Sequence, residues 1–432
     1  MTSRDSTHCT FIPPWLAERV DGAERAALDD TLRDRRGGEA RSPSRTVAPG
    51  GPAWTVHDAG STTSLPGEVA RTAGDPESGD VAVDEAATGI AATLAMFADV
   101  LSRDSYDDAG ASVSLAVHYG SRYNNAFWDG TQLVFGDGDG RLFERFTKPV
   151  DVLAHEFSHA VVDNTAGLVY RDQPGALNES VADVFASCLK QRLLGQDAAE
   201  GDWLIGEGIF AAAVDARALR DMAAPGTAYD DPELGADPQV GHLDDYVETS
   251  DDNGGVHLNS GIPNKAFQLA AVAVGGTAIE GAGRIWYDAL VGDDVSEDSD
   301  FAAFAAATVA AAGQYADVVR EAWAQVGVVP AAGSPASTRT GARRLRVERS
   351  GGFVGRTETV EVDLDDDLRG MIERAALSAS TEPDERPMPD RYVYTFTVDD
   401  GDPVRVAEHR LGEDLHRLAS DLLDRGDQTE DR

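Results

Sequence analysis

Two cysteines in 432 residues, Cys9 and Cys188, cannot build a disulfide framework, and nothing in the chain requires an oxidising compartment. Lysine is almost missing: it occurs only at positions 148, 190 and 265, so nearly all positive charge is arginine. Long apolar runs are absent as well. No stretch approaches the ~20 consecutive apolar residues that span a bilayer. The opening M-T-S-R-D-S-T-H-C-T lacks the apolar core of an export signal, which argues for a cytoplasmic protein or one exported by a non-Sec route. No internal repeat is seen.

What the chain has in abundance is acid. Lys and Arg together number 37 against 76 Asp and Glu, a formal charge of −39. Such a field repels nucleic acid and anionic membranes, so neither is expected as a main partner. An Asp-rich, Lys-poor surface suits a salt-rich cytoplasm, where dense carboxylates hold water and cations. Codon bias in a GC-rich genome produces the same trend, and composition does not separate the two. The 42% hydrophobic and 26% charged residues are globular proportions. At ~150 residues per domain, the length predicts about three folding units.

Residues 10–33 begin T-F-I-P-P-W-L and continue as a short, charged helical pattern, whereas 34–52 are rich in Arg, Gly, Ser and Pro and read as an exposed linker open to proteases. From 81 to 102, Val83, Ala87, Ile90, Leu94 and Phe97 recur at helical spacing. Segments 113–118 and 132–135 read as strands beside turns at 129–130 and 136–140, followed by helices at 150–164 and 176–194. The polar stretch 224–254 reads as a long ordered loop and the Ala-rich 260–330 as helical. Beyond a second linker at 331–341 the pattern changes to strands at 344–349, 356–363, 391–398 and 403–408 and helices at 365–377 and 411–424, a small separate α+β unit.

The segment D-V-L-A-H-E-F-S-H-A at 151–160 carries the chemistry. Residues i and i+4 share a helix face, so His155 and His159 can put both imidazoles on one metal ion, with Glu156 beside them to act on a water. A catalytic zinc needs a third protein ligand and an open position. Glu179, in N-E-S-V-A-D on the next expected helix, is the candidate, and Asp183, one turn on, can accept a hydrogen bond from a ligand imidazole. The competing reading is two ordinary helix carboxylates among many, although both fall on one helical face.

H-E-F-S-H-A-V, T-A-G-L-V-Y, G-A-L-N-E-S-V-A-D and D-N-G-G-V-H-L-N-S-G-I-P-N-K-A-F, with N-N-A-F-W-D-G at 124–130 and G-D-G-D-G at 136–140, together resemble the thermolysin family of neutral metallopeptidases over about 54–330. The resemblance implies an α+β fold in two lobes: a β-rich N-terminal lobe at 51–165 ending in the zinc helix, and a mainly helical lobe at 166–330, with one zinc ion in the cleft. It implies zinc on His155, His159 and Glu179, and Glu156 as the general base. Tyr170 and His257 would donate to the developing oxyanion, with Asp252 orienting His257. Asn125 and the Ala126 carbonyl would hold the substrate backbone, and Arg220 would bind a substrate carbonyl. Phe143, Phe146, Val152, Ile205, Ile209 and Leu219 would wall the pocket beyond the scissile bond, favouring bulky hydrophobic residues there; core packing is the rival explanation for each. The chemistry agrees. Zinc lowers the pKa of a water toward ~7, a nearby carboxylate moves its proton, and preorganised oxyanion donors contribute on the order of 3 kcal/mol each.

The chain departs from the family at the paired-calcium site. That site would use Asp151, Glu207 and two further acids, but here those positions read Lys190 and Leu204, and a cation at 190 opposes calcium. The G-D-G-D-G turn is a second, weaker calcium candidate. At the start, F-I-P-P-W-L resembles the short propeptide of protealysin-like members, so residues 1–50 are expected to cover the cleft until cut in the linker. Cys9 offers either a thiolate for zinc or a small packed side chain. The tail at 342–426, with R-L-R-V-E-R-S-G-G-F-V-G and R-Y-V-Y-T-F-T-V, resembles emfourin, a family that includes the protealysin inhibitor, which implies a tethered inhibitor or a module that no longer inhibits. The expected function is a zinc endopeptidase acting on proteins and peptides, with propeptide and tail as intramolecular partners. The rival is a non-catalytic, zinc-stabilised protein that binds partners through its tail.

Overall fold

The computed structural model describes residues 10–21, 53–331, 343–351, 358–364, 392–398 and 404–407. The chain divides into two compact units, 1–333 and 334–432, parted within the 331–341 segment.

In the first unit, helix α1 (Pro14–Asp21) precedes a five-stranded sheet of β1 (Trp54–Asp58), β2 (Glu68–Thr72), β3 (Val113–Val117), β4 (Ala126–Trp128) and β5 (Leu133–Phe135), in the order β2-β1-β3-β5-β4. β1 and β3 run parallel, as do β3 and β5, while the outer strands pair antiparallel. Only β3 and β5 carry the apolar pattern seen in the sequence. β4 is three residues, all buried, and too short to show a period.

Helix α2 (Val81–Leu101) is capped by Asp80, whose side chain accepts from Ala82 N and Val83 N, and it buries Val83, Ala87, Ile90 and Phe97. Length and mean hydropathy make it apolar enough to cross a membrane, which corrects the expectation that no stretch is. Half of its apolar window is buried, as in a core helix, and Asp84, Glu85 and Asp99 lie along it.

Helices α3 (Val150–Asp163) and α4 (Asp172–Leu194) then pack together. Residues 151–162 of α3 are all buried, as are nearly all of 175–191 in α4, so a polar atom there that lacks a partner inside the protein marks a position with a special role. α4 stops at Gly195, which takes the left-handed conformation with φ 65°.

The stretch expected as an unbroken loop at 224–254 holds a small strand pair, β8 (Asp230–Asp231) with β9 (Gly235–Ala236), and a single 3-10 turn at Leu243–Asp245. Another short pair precedes it, β6 (Leu204–Ile205) with β7 (Arg220–Asp221). Two-residue strands leave no periodic signal. The helical lobe continues with α5 (Asp252–Asn259), α6 (Gly261–Val274), α7 (Arg284–Val291), α8 (Phe301–Ala311) and α9 (Ala316–Gln325). Its core includes Trp286 stacked on Trp323 at 6.0 Å, with Trp323 Nε1 donating to Thr308 Oγ1.

In the second unit, β10 (Arg343–Gly351), β11 (Glu358–Leu364), β12 (Tyr392–Val398) and β13 (Val404–Ala407) form an antiparallel sheet in the order β11-β10-β12-β13. The helices expected at 365–377 and 411–424, and Cys9, lie outside the described residues.

Candidate active site

His155, Glu156 and His159 project from α3, and Glu179 and Asp183 from α4; all five are buried. The ligand atoms of His155, His159 and Glu179 lie within 4.8 Å of one another. His155 Nε2 is 3.5 Å from Glu179 Oε2, and His159 Nε2 is 3.6 Å from Glu179 Oε1.

The tautomers follow from the outer contacts. His155 Nδ1 donates to Asp183 Oδ1 at 2.9 Å, and His159 Nδ1 donates to Asn178 Oδ1 at 2.8 Å, the Asn178 amide being oriented by its own donation to Leu168 O. With both Nδ1 atoms protonated, the two Nε2 atoms carry bare lone pairs, and they face each other across 3.0 Å. Two lone pairs at that distance repel unless a cation sits against both. The donor set of two imidazoles and a carboxylate matches zinc.

Asp183 is the hub behind this set. It receives Arg220 Nη2 on Oδ1 at 2.7 Å, and Arg220 Nε and Asn264 Nδ2 on Oδ2 at 2.8 Å each. Burial pushes its carboxyl up, but Arg220 and His155 outweigh that and hold it far below the usual carboxylate range. Burial likewise raises Glu179, but His257, His159, His155 and Arg220 bring it down to about 2. His159 is pushed down to about 4 by burial and by His155. Glu156 moves the other way: burial and then Glu179 raise it well above the ordinary value, with only weak relief from the Trp128 backbone and Arg220. Neither Glu156 carboxylate oxygen has a hydrogen-bond partner at ordinary distance.

Across the cleft, Tyr170 Oη donates to Glu179 Oε1 at 2.5 Å and stands 3.4 Å from His257 Nε2. Asp252 holds His257 by Nδ1 at 2.7 Å and by its backbone N–H at 2.9 Å. Burial lowers the His257 pKa, but Glu179 and Asp252 together raise it on balance. The motif D-N-G-G explains this local geometry: Asp252, Asn253, Gly254 and Gly255 all take positive φ, and a Cβ at Gly254 would fall 2.0 Å from Asp172 Oδ1.

Residues 10–12 occupy the cleft. Phe11 N donates to Ala126 O at 3.0 Å, Ile12 N to Asn125 Oδ1 at 2.8 Å, and Arg220 Nη1 to Phe11 O at 3.3 Å. The Phe11 ring is fully buried, edge-on to His155 at 5.2 Å and beneath the Arg220 guanidinium at 4.8 Å. A Cβ at Gly206 would meet both this ring and Leu219 at 3.3 Å, so Phe11 and Leu219 flank one narrow space. Ile205 O accepts from Leu219 N, and Ile209 and Val152 are buried in the same core. Phe143 packs on Phe146 and Phe210, at 5.8 and 5.3 Å.

Asn178, Asn264 and Trp15 had no individual role in the sequence reading, although all three sit inside motifs quoted above, and a buried amide adjoining a metal ligand is the signal that marks Asn178.

At the calcium candidates most carboxylate oxygens are already engaged, Asp151 Oδ1 being buried without a hydrogen-bond partner. Lys190 Nζ bonds Asp202 and Glu207 at 2.9 Å each and Leu204 O at 3.3 Å, while Asp151 accepts from Gly206 N. In the G-D-G-D-G turn, Asp139 Oδ1 accepts from the backbone of Arg141, Leu142 and Phe143, and Asp137 pairs with His118.

Residues 55–163 match the family model of the thermolysin metallopeptidase catalytic domain, 166–328 that of the thermolysin metallopeptidase alpha-helical domain, and 347–423 that of emfourin. An extracellular metalloprotease of Pectobacterium carotovorum subsp. carotovorum is 45% identical over 334 residues, 74% of this chain and 96% of that one. Protease PrtS of Photorhabdus sp. (strain Az29) is 47% identical over 281 residues, 63% of this chain and 76% of that one. Among solved structures, the precursor of protealysin, a metalloproteinase from Serratia proteamaculans, aligns with a TM-score of 0.67 at 46% identity, covering 74% of this chain and all of that one.

Proposed function

The chain belongs to the thermolysin family of metallopeptidases, and from that premise we propose that it hydrolyses peptide bonds at the centre formed by His155, His159 and Glu179. The observation that carries the assignment is the pair of bare Nε2 atoms facing each other at 3.0 Å beside a buried carboxylate. His155, His159 and Glu179 would hold a zinc ion, which when bound would supply a Lewis acid for the scissile carbonyl and for the attacking water. Glu156 takes a proton from that water and delivers it to the leaving amine, a role suited to a carboxylate whose pKa is raised by burial. His257 and Tyr170 donate to the oxygen as it gains charge, and Asp252 keeps His257 protonated and aimed. Asp183 fixes the His155 tautomer and anchors Arg220, which binds a substrate carbonyl.

The enzyme is made as a precursor with the segment around Phe11 in its cleft, and its preference is for a bulky hydrophobic residue after the scissile bond. Phe143, Phe146, Val152, Ile205, Ile209 and Leu219 are the walls of that pocket. The emfourin-like tail restrains the enzyme in cis, at an effective concentration that a short linker raises to about millimolar. No paired calcium ions bind at α4, because Lys190 already neutralises Asp202 and Glu207. The name of the Pectobacterium relative supports action outside the cell. The non-catalytic alternative has no use for an unpartnered Glu156 or for the His257–Asp252 pair.

Chelation is the direct test: zinc removal should abolish casein cleavage and zinc alone should restore it. A Glu156→Gln protein that cleaves casein as fast as the parent overturns the base assignment. Comparing the chain with and without 342–432 tests the tail, and equal activity would count against restraint in cis.

A further inference from the structure

Residues 10–12 lie in the cleft in the register and direction of a substrate, and we infer that the Thr10–Phe11 peptide bond is itself hydrolysed, as a first cut that leaves the cleft blocked. The inference rests on the catalytic roles proposed above. His257 Nε2 donates to Thr10 O at 3.0 Å, so the carbonyl at the oxyanion donor belongs to Thr10. The next amide nitrogen, Phe11 N, is held by Ala126 O, and the next carbonyl, Phe11 O, by Arg220. Ile12 meets the Asn125 side chain with both backbone groups, its N–H at 2.8 Å and its carbonyl at 3.4 Å. A chain running the other way would bring an N–H to a donor at His257 and a carbonyl to an acceptor at Ala126, and would fail at both. The fully buried Phe11 ring lies against Gly206 with Leu219 beside it, where the residue after the cut must enter.

The reaction needs only water. A water oxygen bonds to the Thr10 carbonyl carbon, the bond from that carbon to Phe11 N breaks, and one water proton travels through Glu156 to the departing nitrogen. The second water proton follows to the same nitrogen, so Thr10 ends as a carboxylate and Phe11 as a new, protonated amino terminus.

The stretch on the downstream side of the cut is anchored at several points. Downstream, Phe11 and Ile12 keep their contacts to Arg220 and Asn125. Pro13 and Pro14 then stiffen the chain, and α1 docks with the Trp15 ring 6.1 Å from His257 and with Arg19 Nε donating to Glu233 O at 2.8 Å. The stretch beginning at Phe11 therefore stays as a retained product, and opening the cleft takes a second cut in 34–52.

The test is a time course of intact mass and N-terminal sequence on the full zinc-loaded chain, beside a Glu156→Gln chain of matching zinc content. A species beginning at Phe11 should appear before any cleavage of added casein, and the Glu156→Gln chain should keep the bond. A fluorescent peptide hydroxamate gives a binding readout: it should bind the Phe11-starting species within about twofold of the intact chain, and bind chain cut in 34–52 at least about tenfold more tightly, a difference of about 1.4 kcal/mol. An intact Thr10–Phe11 bond in a preparation that cleaves casein overturns the inference and leaves the peptidase reading standing. Tight hydroxamate binding by the Phe11-starting species overturns the retention. If chain opened in 34–52 by trypsin cleaves neither casein nor itself, the catalytic reading fails first.

Discussion

Around its midpoint, α4 presents Glu179 and Asp183 to the imidazoles of α3, and about two turns later the same helix presents Lys190 to Asp202 and Glu207, with Asp151 nearby. Both are carboxylate clusters inside a chain of net charge −39, and both need a cation. At Lys190 the cation is covalently built in, so it is always present and does no chemistry. At His155 and His159 the neighbours Asp183 and Asn178 turn two neutral donors inward, which leaves a place for an exchangeable ion and, beside it, for water. A built-in charge gives permanence, and a borrowed one gives reactivity.

The contrast can be broken most severely at the borrowed site. Glu156→Gln should lower kcat/KM on casein by about 10²–10⁴-fold with zinc content unchanged, read by initial rates and metal analysis. Next in size, Asp183→Ala leaves Arg220 buried without its bidentate partner. Measured by urea unfolding in the Glu156→Gln background, which prevents self-cleavage, it should cost about 3–5 kcal/mol. Zinc affinity, read by chelator competition, should fall by about 10–100-fold.

Lys190→Glu sharpens the comparison by turning the second cluster into an ion-requiring one. Calcium should leave the parent melting temperature unchanged, whereas the variant should melt lower and be restored by calcium. If calcium stabilises the parent, the built-in cation is not sufficient. Asp151 adds a pH signature: burial raises it to about 6 despite Lys190, so its contribution to stability is full below the unfolded value near 4 and is lost as pH rises through 6.

The smallest effect is expected at a third cluster, where the cation is titratable. His118 sits between Asp137 and Asp80, and its hydrogen bond to Asp137 raises it to about 9 against the opposing effect of burial. Its raised pKa means stability is full below about 6.5 and declines as pH climbs through 9, and His118→Asn should flatten that slope in pH-dependent melts.

The metal centre was legible from sequence because its residues obey local geometry: His155 and His159 are one helical turn apart, and Glu179 and Asp183 repeat that spacing on the next helix. Long elements such as α2 and α4 carried enough period to be read. The strands β6 to β9 were not, since two residues have no period and are held by pairing alone. Trp15 was legible as part of F-I-P-P-W-L, but its approach to His257 was not, because that neighbour is distant in sequence. The G-D-G-D-G turn read as a weak calcium candidate, yet three backbone N–H groups engage Asp139 Oδ1 there.

Composition, spacing and motif order determined the family, the candidate His-His-Glu set and the presence of a lysine at 190 among acids, all of which depend on residue type and short-range position. Only the folded chain decided which peptide bond lies against His257, how Asp183 divides itself between His155, Arg220 and Asn264, and which Nε2 atoms are left bare. Those outcomes depend on hydrogen bonds between residues far apart in the chain, and a side chain's tautomer or remaining valence is set by the partner that folding brings to it.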